Sequence, residues 1–151
     1  MEEKTLSLFL KVRESFGEIK EKVSLIKPYF ELLCFSTGWA LTIDECKRLL
    51  GFTPEFVYKS SEEVYAICVL YRIDDEITTG VIAHEFAEVL ARERNVEDHA
   101  VIDAICVERG YGDQLLRSLQ DDILSGMVER EFVDRVDIGA RIENLRRLLK
   151  R

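Results

Sequence analysis

Two histidines and a group of acidic residues form the part of the sequence best suited to chemistry. The chain contains only two histidines, His84 and His99. Glu85 follows His84 directly, and Glu88 lies four positions after it. Because a helix turns by about 100° per residue, His84 and Glu88 project from the same side of a helix. Imidazole nitrogens and carboxylate oxygens bind Zn²⁺ and other divalent metals. The segment therefore predicts a metal site.

A second segment, residues 96–109, carries further residues expected at this site. In a helix there, His99 and Asp103 share one side with apolar residues, so we expect both to face the interior. Burying an imidazole and a carboxylate costs on the order of several kcal/mol unless they are paired or bind a metal. We therefore expect them to lie close to His84 and Glu88.

These two segments resemble a known family of enzymes. The pattern His84-Glu85-x-x-Glu88 resembles the His-Glu-x-x-His helix of zincin metallopeptidases, with Glu88 at the position of the second histidine. Residues 99–112 resemble the second helix of minimal, gluzincin-like members, in which a Glu supplies the third ligand and an Asp four positions later supports the site. The resemblance covers about a third of the chain, residues 64–112.

The resemblance implies a role for each residue. His84, Glu88 and His99 would bind the metal, Glu85 would be the general base, and Asp103 would orient a ligand histidine. Zinc is the expected metal, with iron and manganese as alternatives because Glu88 adds a carboxylate. The implied function is a metal-dependent hydrolase that attacks peptide bonds of a peptide or protein substrate with a metal-activated water.

The same residues leave other interpretations open. His84 and Glu88 would suit a buried polar network without metal, or an exposed pair worth a few tenths of a kcal/mol. A metal site could also be structural or vestigial in a non-catalytic protein of the same fold, which binds a protein partner or forms a homo-oligomer. The sequence does not decide whether the protein is an enzyme.

The predicted fold is α+β, with residues 1–151 forming a single zincin-like domain. A small antiparallel or mixed sheet packs against the motif helix and further helices. Helical spacing of apolar residues and capping signals predict helices at 5–26, 42–51, 77–94, 96–109, 113–124 and 138–150. Apolar runs predict strands at 29–35, 39–41, 56–58 and 64–73, the third pairing with the central fourth. A stripe of small residues beside the metal ligands is expected to admit the next helix: Gly80, Ala83, Ala87 and Ala91.

Composition excludes several classes of function. A net charge of −8 argues against a nucleic-acid partner. No run of about 18 apolar residues is present, so we expect no membrane association. The acidic N-terminus differs from a secretory signal, which makes the cytoplasm the expected location. The widely spaced cysteines are expected to be buried free thiols: Cys34, Cys46, Cys68 and Cys106.

Overall fold

The computed structural model of the protein describes residues 2–33, 37–124 and 135–150, and these residues have the predicted α+β fold. The elements, in chain order, are α1 (Glu2–Glu14), β1 (Val23–Ile26), α2 (Phe30–Leu33), β2 (Gly38–Thr42), α3 (Ile43–Leu50), β3 (Phe56–Tyr58), β4 (Tyr65–Val69), α4 (Asp75–Glu93), α5 (His99–Glu108), α6 (Gly112–Leu124) and α7 (Arg135–Leu149).

The sheet is mixed, with strand order β2-β4-β1-β3. β4 runs parallel to β1 and antiparallel to β2, and all five of its residues are buried, as predicted for a central strand. The predicted pairing of residues 56–58 with this strand is wrong. β3 pairs instead with β1, where Leu25 lies opposite Tyr58, because β1 and β2 already occupy both edges of β4.

The predicted first helix is too long. α1 ends at Glu14, residues 15–22 form turns, and Val23–Ile26 is strand β1. Phe16 and Ile19 are buried as the helical spacing requires, but tight turns rather than a helix carry them into the core. All four residues of β1 are buried, and such a short apolar run suits a strand as well as a helix.

A short helix replaces the strand predicted at residues 29–35. α2 spans Phe30–Leu33, and the carbonyl oxygen of Tyr29 accepts hydrogen bonds from the N–H groups of Leu32 and Leu33. Residues 34–36, including Cys34, lie outside the described residues. Aromatic and apolar composition predicts a strand here, but an apolar run this short does not distinguish a strand from one turn of helix.

Local signals predicted the other elements, although β4 spans only Tyr65–Val69 where the sequence predicts a strand at residues 64–73. The hydroxyl of Thr42 accepts a hydrogen bond from the Glu45 N–H while the Glu45 carboxylate accepts one from the Thr42 N–H, and Gly51 caps the other end of α3.

The three described cysteines are buried and free: Cys46, Cys68 and Cys106. Within the described ranges, no helix has the length and apolar character needed to cross a bilayer. The assignment of residues 1–151 to one domain stays a prediction.

The core lies between the sheet and α4. α1 and α4 pack together on one face of the sheet. The ring centroid of Phe86 lies there 5.2 Å from that of Phe9 and 5.4 Å from that of Phe16. α2 and α3 cover the other face over a smaller cluster. α5 and α6 pack against α4, and α7 packs on α5 and α6. Helix α4 is therefore buried on several sides, which determines the environment of the predicted metal ligands.

A close approach of two helices fixes the position of α4. A Cβ at Gly80 would lie only 2.3 Å from the backbone carbonyl oxygen of Gln114 in α6. The small residue was expected to admit the next helix, α5, and at Gly80 this prediction is wrong. α5 does pack against α4, but the closest backbone approach at Gly80 is made by α6.

We expect Gly80→Ala to destabilise the protein by about 1–3 kcal/mol, because the added methyl group meets backbone that cannot rotate away. The measurement is the free energy of unfolding in denaturant. Gly139→Ala in α7 is the matched control, since a Cβ there meets nothing within 4 Å and alanine favours a helix by up to about 1 kcal/mol. Equal stability of the two variants would contradict the close packing of α4 and α6.

Candidate metal site

Helix α4 presents the predicted residues from its central turns. The Asp74 side chain accepts a hydrogen bond from the N–H of Ile77 and caps the start of the helix. Ile82 and Phe86 point into the core and are fully buried. The helix is thus anchored at its start and along one face, so the side chains at 84, 85 and 88 have a fixed direction.

Three side chains of α4 form a cluster that could bind a metal ion. One ligand atom from each of His84, Glu85 and Glu88 lies within 4.8 Å of the other two. Nδ1 of His84 is 3.4 Å from Oε1 of Glu85. Imidazole and carboxylate groups together match the ligand preference of several divalent metals.

The first residue of β2, Gly38, packs closely against Val81 and Glu85 of α4. A Cβ at Gly38 would lie 2.7 Å from Cγ1 of Val81 and 3.4 Å from Oε1 of Glu85. Only glycine lets the edge strand come this close to α4. The Glu85 carboxyl is therefore enclosed, and the residue is only 5% exposed.

Burial makes the two carboxyl groups hard to ionise together. Burial raises the pKa of Glu85 to about 7, against the opposing effects of a hydrogen bond from Glu88 and the charge of Arg141. Burial, and then the negative charge of Glu85, raise the pKa of Glu88 to about 7, while His84 and His99 act in the opposite direction. Near neutral pH the pair therefore holds a proton, which a bound cation would displace.

One oxygen of the cluster is suited to binding a cation. Oε2 of Glu85 is buried and has no hydrogen-bond partner among the described residues. A buried carboxylate oxygen without a donor costs free energy, so native structures rarely leave one. A metal ion bound by the cluster would remove this cost, and the residues present therefore fit such an ion.

His99 lies beside the cluster but is exposed. It is the first residue of α5, directly after the capping residue Asp98, and its ring centroid is 6.0 Å from that of His84. The prediction that His99 faces the interior is wrong, because α5 begins at the protein surface. Among the described residues, the group within 4.8 Å comprises α4 side chains only, and the role of His99 as a ligand stays a prediction.

Asp103 is fully buried, as predicted, and it forms a two-point ion pair with Arg141 of α7. Nε and Nη2 of Arg141 each donate to one carboxylate oxygen of Asp103 at 2.9 Å. The role of Asp103 in orienting a ligand histidine stays a prediction, and the sequence does not predict its pairing with Arg141. The sequence does contain a signal that Arg141 faces the interior. Arg141 follows the buried Ile138 by three positions and precedes the buried Leu145 by four, so it lies on the same side of α7.

No protein-family model, curated protein or solved structure matches the chain. The zincin resemblance is thus carried by its motif alone. Of that motif, the structure shows a His-Glu-x-x-Glu cluster that could hold a metal.

The raised pKa of Glu85 and Glu88 predicts that the metal-free protein loses stability as pH rises. A carboxyl with a folded-state pKa above its unfolded value stabilises the fold fully below about pH 4.5, and this contribution is lost as pH rises through about 7. We expect a loss of roughly 1–3 kcal/mol between pH 5 and pH 8, measured by denaturant unfolding with a chelator present.

Glu85→Gln should flatten this pH dependence, because the variant has one buried carboxyl fewer to ionise. Glu76→Gln is the control, since Glu76 is exposed on the same helix and should leave the pH profile unchanged. Parallel profiles for wild type and Glu85→Gln would show that the pair does not titrate in this range.

Proposed function

We propose that the protein is a metal-dependent hydrolase, a zinc peptidase-like enzyme that uses a metal-activated water. The observation that carries this proposal is the cluster of His84, Glu85 and Glu88, with a buried carboxylate oxygen that has no hydrogen-bond partner among the described residues. Such a group of titratable side chains, brought together on one helix, is more typical of a functional site than of a core.

His84 and Glu88 would hold the metal from α4, and His99, whose ring is near that of His84, would be the third ligand from α5. A divalent cation on three protein ligands retains an open position, where it lowers the pKa of a water molecule toward about 7 and supplies a nucleophile. Zinc fits two imidazoles and a carboxylate, and iron or manganese are the alternatives that a second carboxylate would favour.

Glu85 would act as the general base. Its Oε1 is 3.4 Å from Nδ1 of His84, and its carboxyl is within 4.8 Å of that of Glu88, so it could accept a proton from a water held at the same cluster. Gly38 of β2 packs close to the Glu85 side chain and restricts its movement. A base that is already oriented needs little rearrangement during the reaction.

The position of β2 supports a peptide or protein substrate. Among the described strands, β2 is hydrogen-bonded to β4 alone and so forms an edge of the sheet. It begins at Gly38, next to Glu85. An extended peptide can add to such an edge through its backbone groups, which would bring a peptide bond close to the cluster.

A second candidate is a non-catalytic protein with a structural or vestigial metal site that binds a protein partner. Limited access to the cluster favours this candidate, since the side chains of His84 and Glu85 are only 16% and 7% exposed. A structural site needs no open position for substrate. The two candidates differ in turnover rather than in metal content, and two experiments together separate them.

Metal content tests the ligand set. We expect about one zinc, iron or manganese ion per chain by plasma mass spectrometry, on protein purified without an affinity tag. His84→Ala and Glu88→Gln should lose the metal, and His99→Ala should bind it more weakly, because each variant removes one ligand. Glu76→Gln, altered at an exposed position of α4, should retain it. If the wild type binds none of the three ions even after reconstitution, the metal site is contradicted, and the cluster is a buried polar network without metal.

Turnover of the metal-loaded protein tests the role of Glu85. Glu85→Gln should keep its metal but lose about 10²–10⁴-fold in kcat on an unfolded protein substrate, because the base is removed while a side chain of the same shape remains. If wild type with bound metal cleaves no peptide and Glu85→Gln behaves identically, the non-catalytic candidate is the correct one.

A further inference from the structure

The face of the sheet opposite α4 is covered by two short helices, α2 and α3, and this layer exposes large apolar side chains. Phe30 of α2 is 80% exposed, Leu49 of α3 is 61% exposed, and Phe52, just after α3, is 52% exposed. The ring centroid of Phe52 lies 5.6 Å from that of Tyr29, the residue before α2, so the two helices present one surface. We call this surface the α2–α3 face. Exposed apolar side chains grouped in this way are typical of a protein–protein interaction site.

Two opposite charges occupy the middle of the exposed side of α3. Ile43 and Cys46 are buried against the sheet, and a turn of about 100° per residue places Asp44 and Arg48 on the opposite side of the helix. Both residues are exposed, and neither takes part in an ion pair within the described part of the chain. Near its start α3 therefore presents a negative charge to solvent, and near its end a positive one.

The order of these charges makes α3 complementary to a second copy of itself. A two-fold axis that passes between positions 44 and 48 sets two α3 helices antiparallel, with Asp44 of each chain opposite Arg48 of the other. One contact of this kind forms two pairs of opposite charge. An unrelated partner would need its own matching pair, whereas a second copy supplies it by symmetry. Such complementarity determines partner and register, while the apolar side chains supply buried area.

We infer that two copies of the chain associate through the α2–α3 face, with their α3 helices antiparallel. Asp44 and Arg48 pair across the two-fold axis, and the exposed apolar side chains of the face are buried against the other chain. The candidate metal cluster belongs to α4, which packs on the other face of the sheet. The association therefore does not depend on the proposed function.

Sedimentation equilibrium of the full chain tests the charge pairs. We expect a monomer–dimer equilibrium for the wild type. Asp44→Arg and Arg48→Asp should each weaken dimerisation by about tenfold or more, because each change places two pairs of like charge in the interface. Glu108→Arg is the matched control for Asp44→Arg, since it makes the same change of charge at an exposed position of α5 and should dimerise as the wild type does.

An equal mixture of the two charge variants tests whether the partner is a second copy. In a mixed dimer the introduced arginine of one chain faces the introduced aspartate of the other, and the two unchanged residues also attract each other. We expect the mixture to associate to within about threefold of the wild-type affinity, although neither variant does so alone. The double variant Asp44→Arg/Arg48→Asp should recover self-association for the same reason.

Phe30→Ser tests the apolar part of the interface. It should weaken dimerisation by about tenfold or more, because an aromatic ring that the dimer buries is removed. Ile73→Ser is the matched control, since Ile73 is 70% exposed but lies between β4 and α4, away from the α2–α3 face. It should leave the affinity unchanged.

Three results would overturn the inference. The first is a wild type that stays monomeric up to about 1 mM. The second is a dimer whose affinity is the same in every variant, which would show that another surface is used. The third is a mixture of folded charge variants that does not associate, because the α3 helices would then not meet antiparallel. If circular dichroism shows that one charge variant does not fold, the double variant and Phe30→Ser decide: the first should dimerise and the second should not.

Discussion

Two neighbouring carboxyl groups, the buried Glu85 and the half-buried Glu88, are largely withdrawn from water, and the free energy of burying them constrains the groups around them. Water cannot solvate both charges, so a proton, a cation or a positively charged side chain must compensate. The charges of His84 and His99 lower the pKa of Glu88, and the charge of Arg141 lowers that of Glu85. A divalent ion bound by His84, Glu85 and Glu88 would compensate the same charge.

The enclosure of the cluster depends on one contact beside Glu85 and on others that are more distant. Gly80 lets α6 approach α4 closely, and Gly38 lets the edge strand reach Glu85. α7 then packs over α5 and α6 and brings Arg141 to Asp103. A polar network without metal would use the same contacts, and it would hold the proton that the metal otherwise replaces. The two interpretations thus differ in what compensates the buried charge, not in how the helices pack.

Much of the fold could be predicted because its signals are local. The capping box of Thr42 and Glu45, the cap at Asp74 and the continuous apolar run of β4 each depend on residues a few positions apart. The errors fall on short apolar segments. Residues 23–26 and 30–33 are each about one helical turn long, and at that length the spacing of apolar residues cannot distinguish a helix from a strand. Their place in the sheet or beside it decides their conformation.

The same division between local and distant effects applies to the site. The sequence by itself determined that His84, Glu85 and Glu88 cluster, because one helix fixes the relation between positions 84, 85 and 88 wherever that helix lies. Only the tertiary structure decided that His99 is exposed, that Asp103 pairs with Arg141, and that α6 rather than α5 meets Gly80. Those relations join different helices, and their geometry follows from packing over the whole core, which no spacing within one segment encodes.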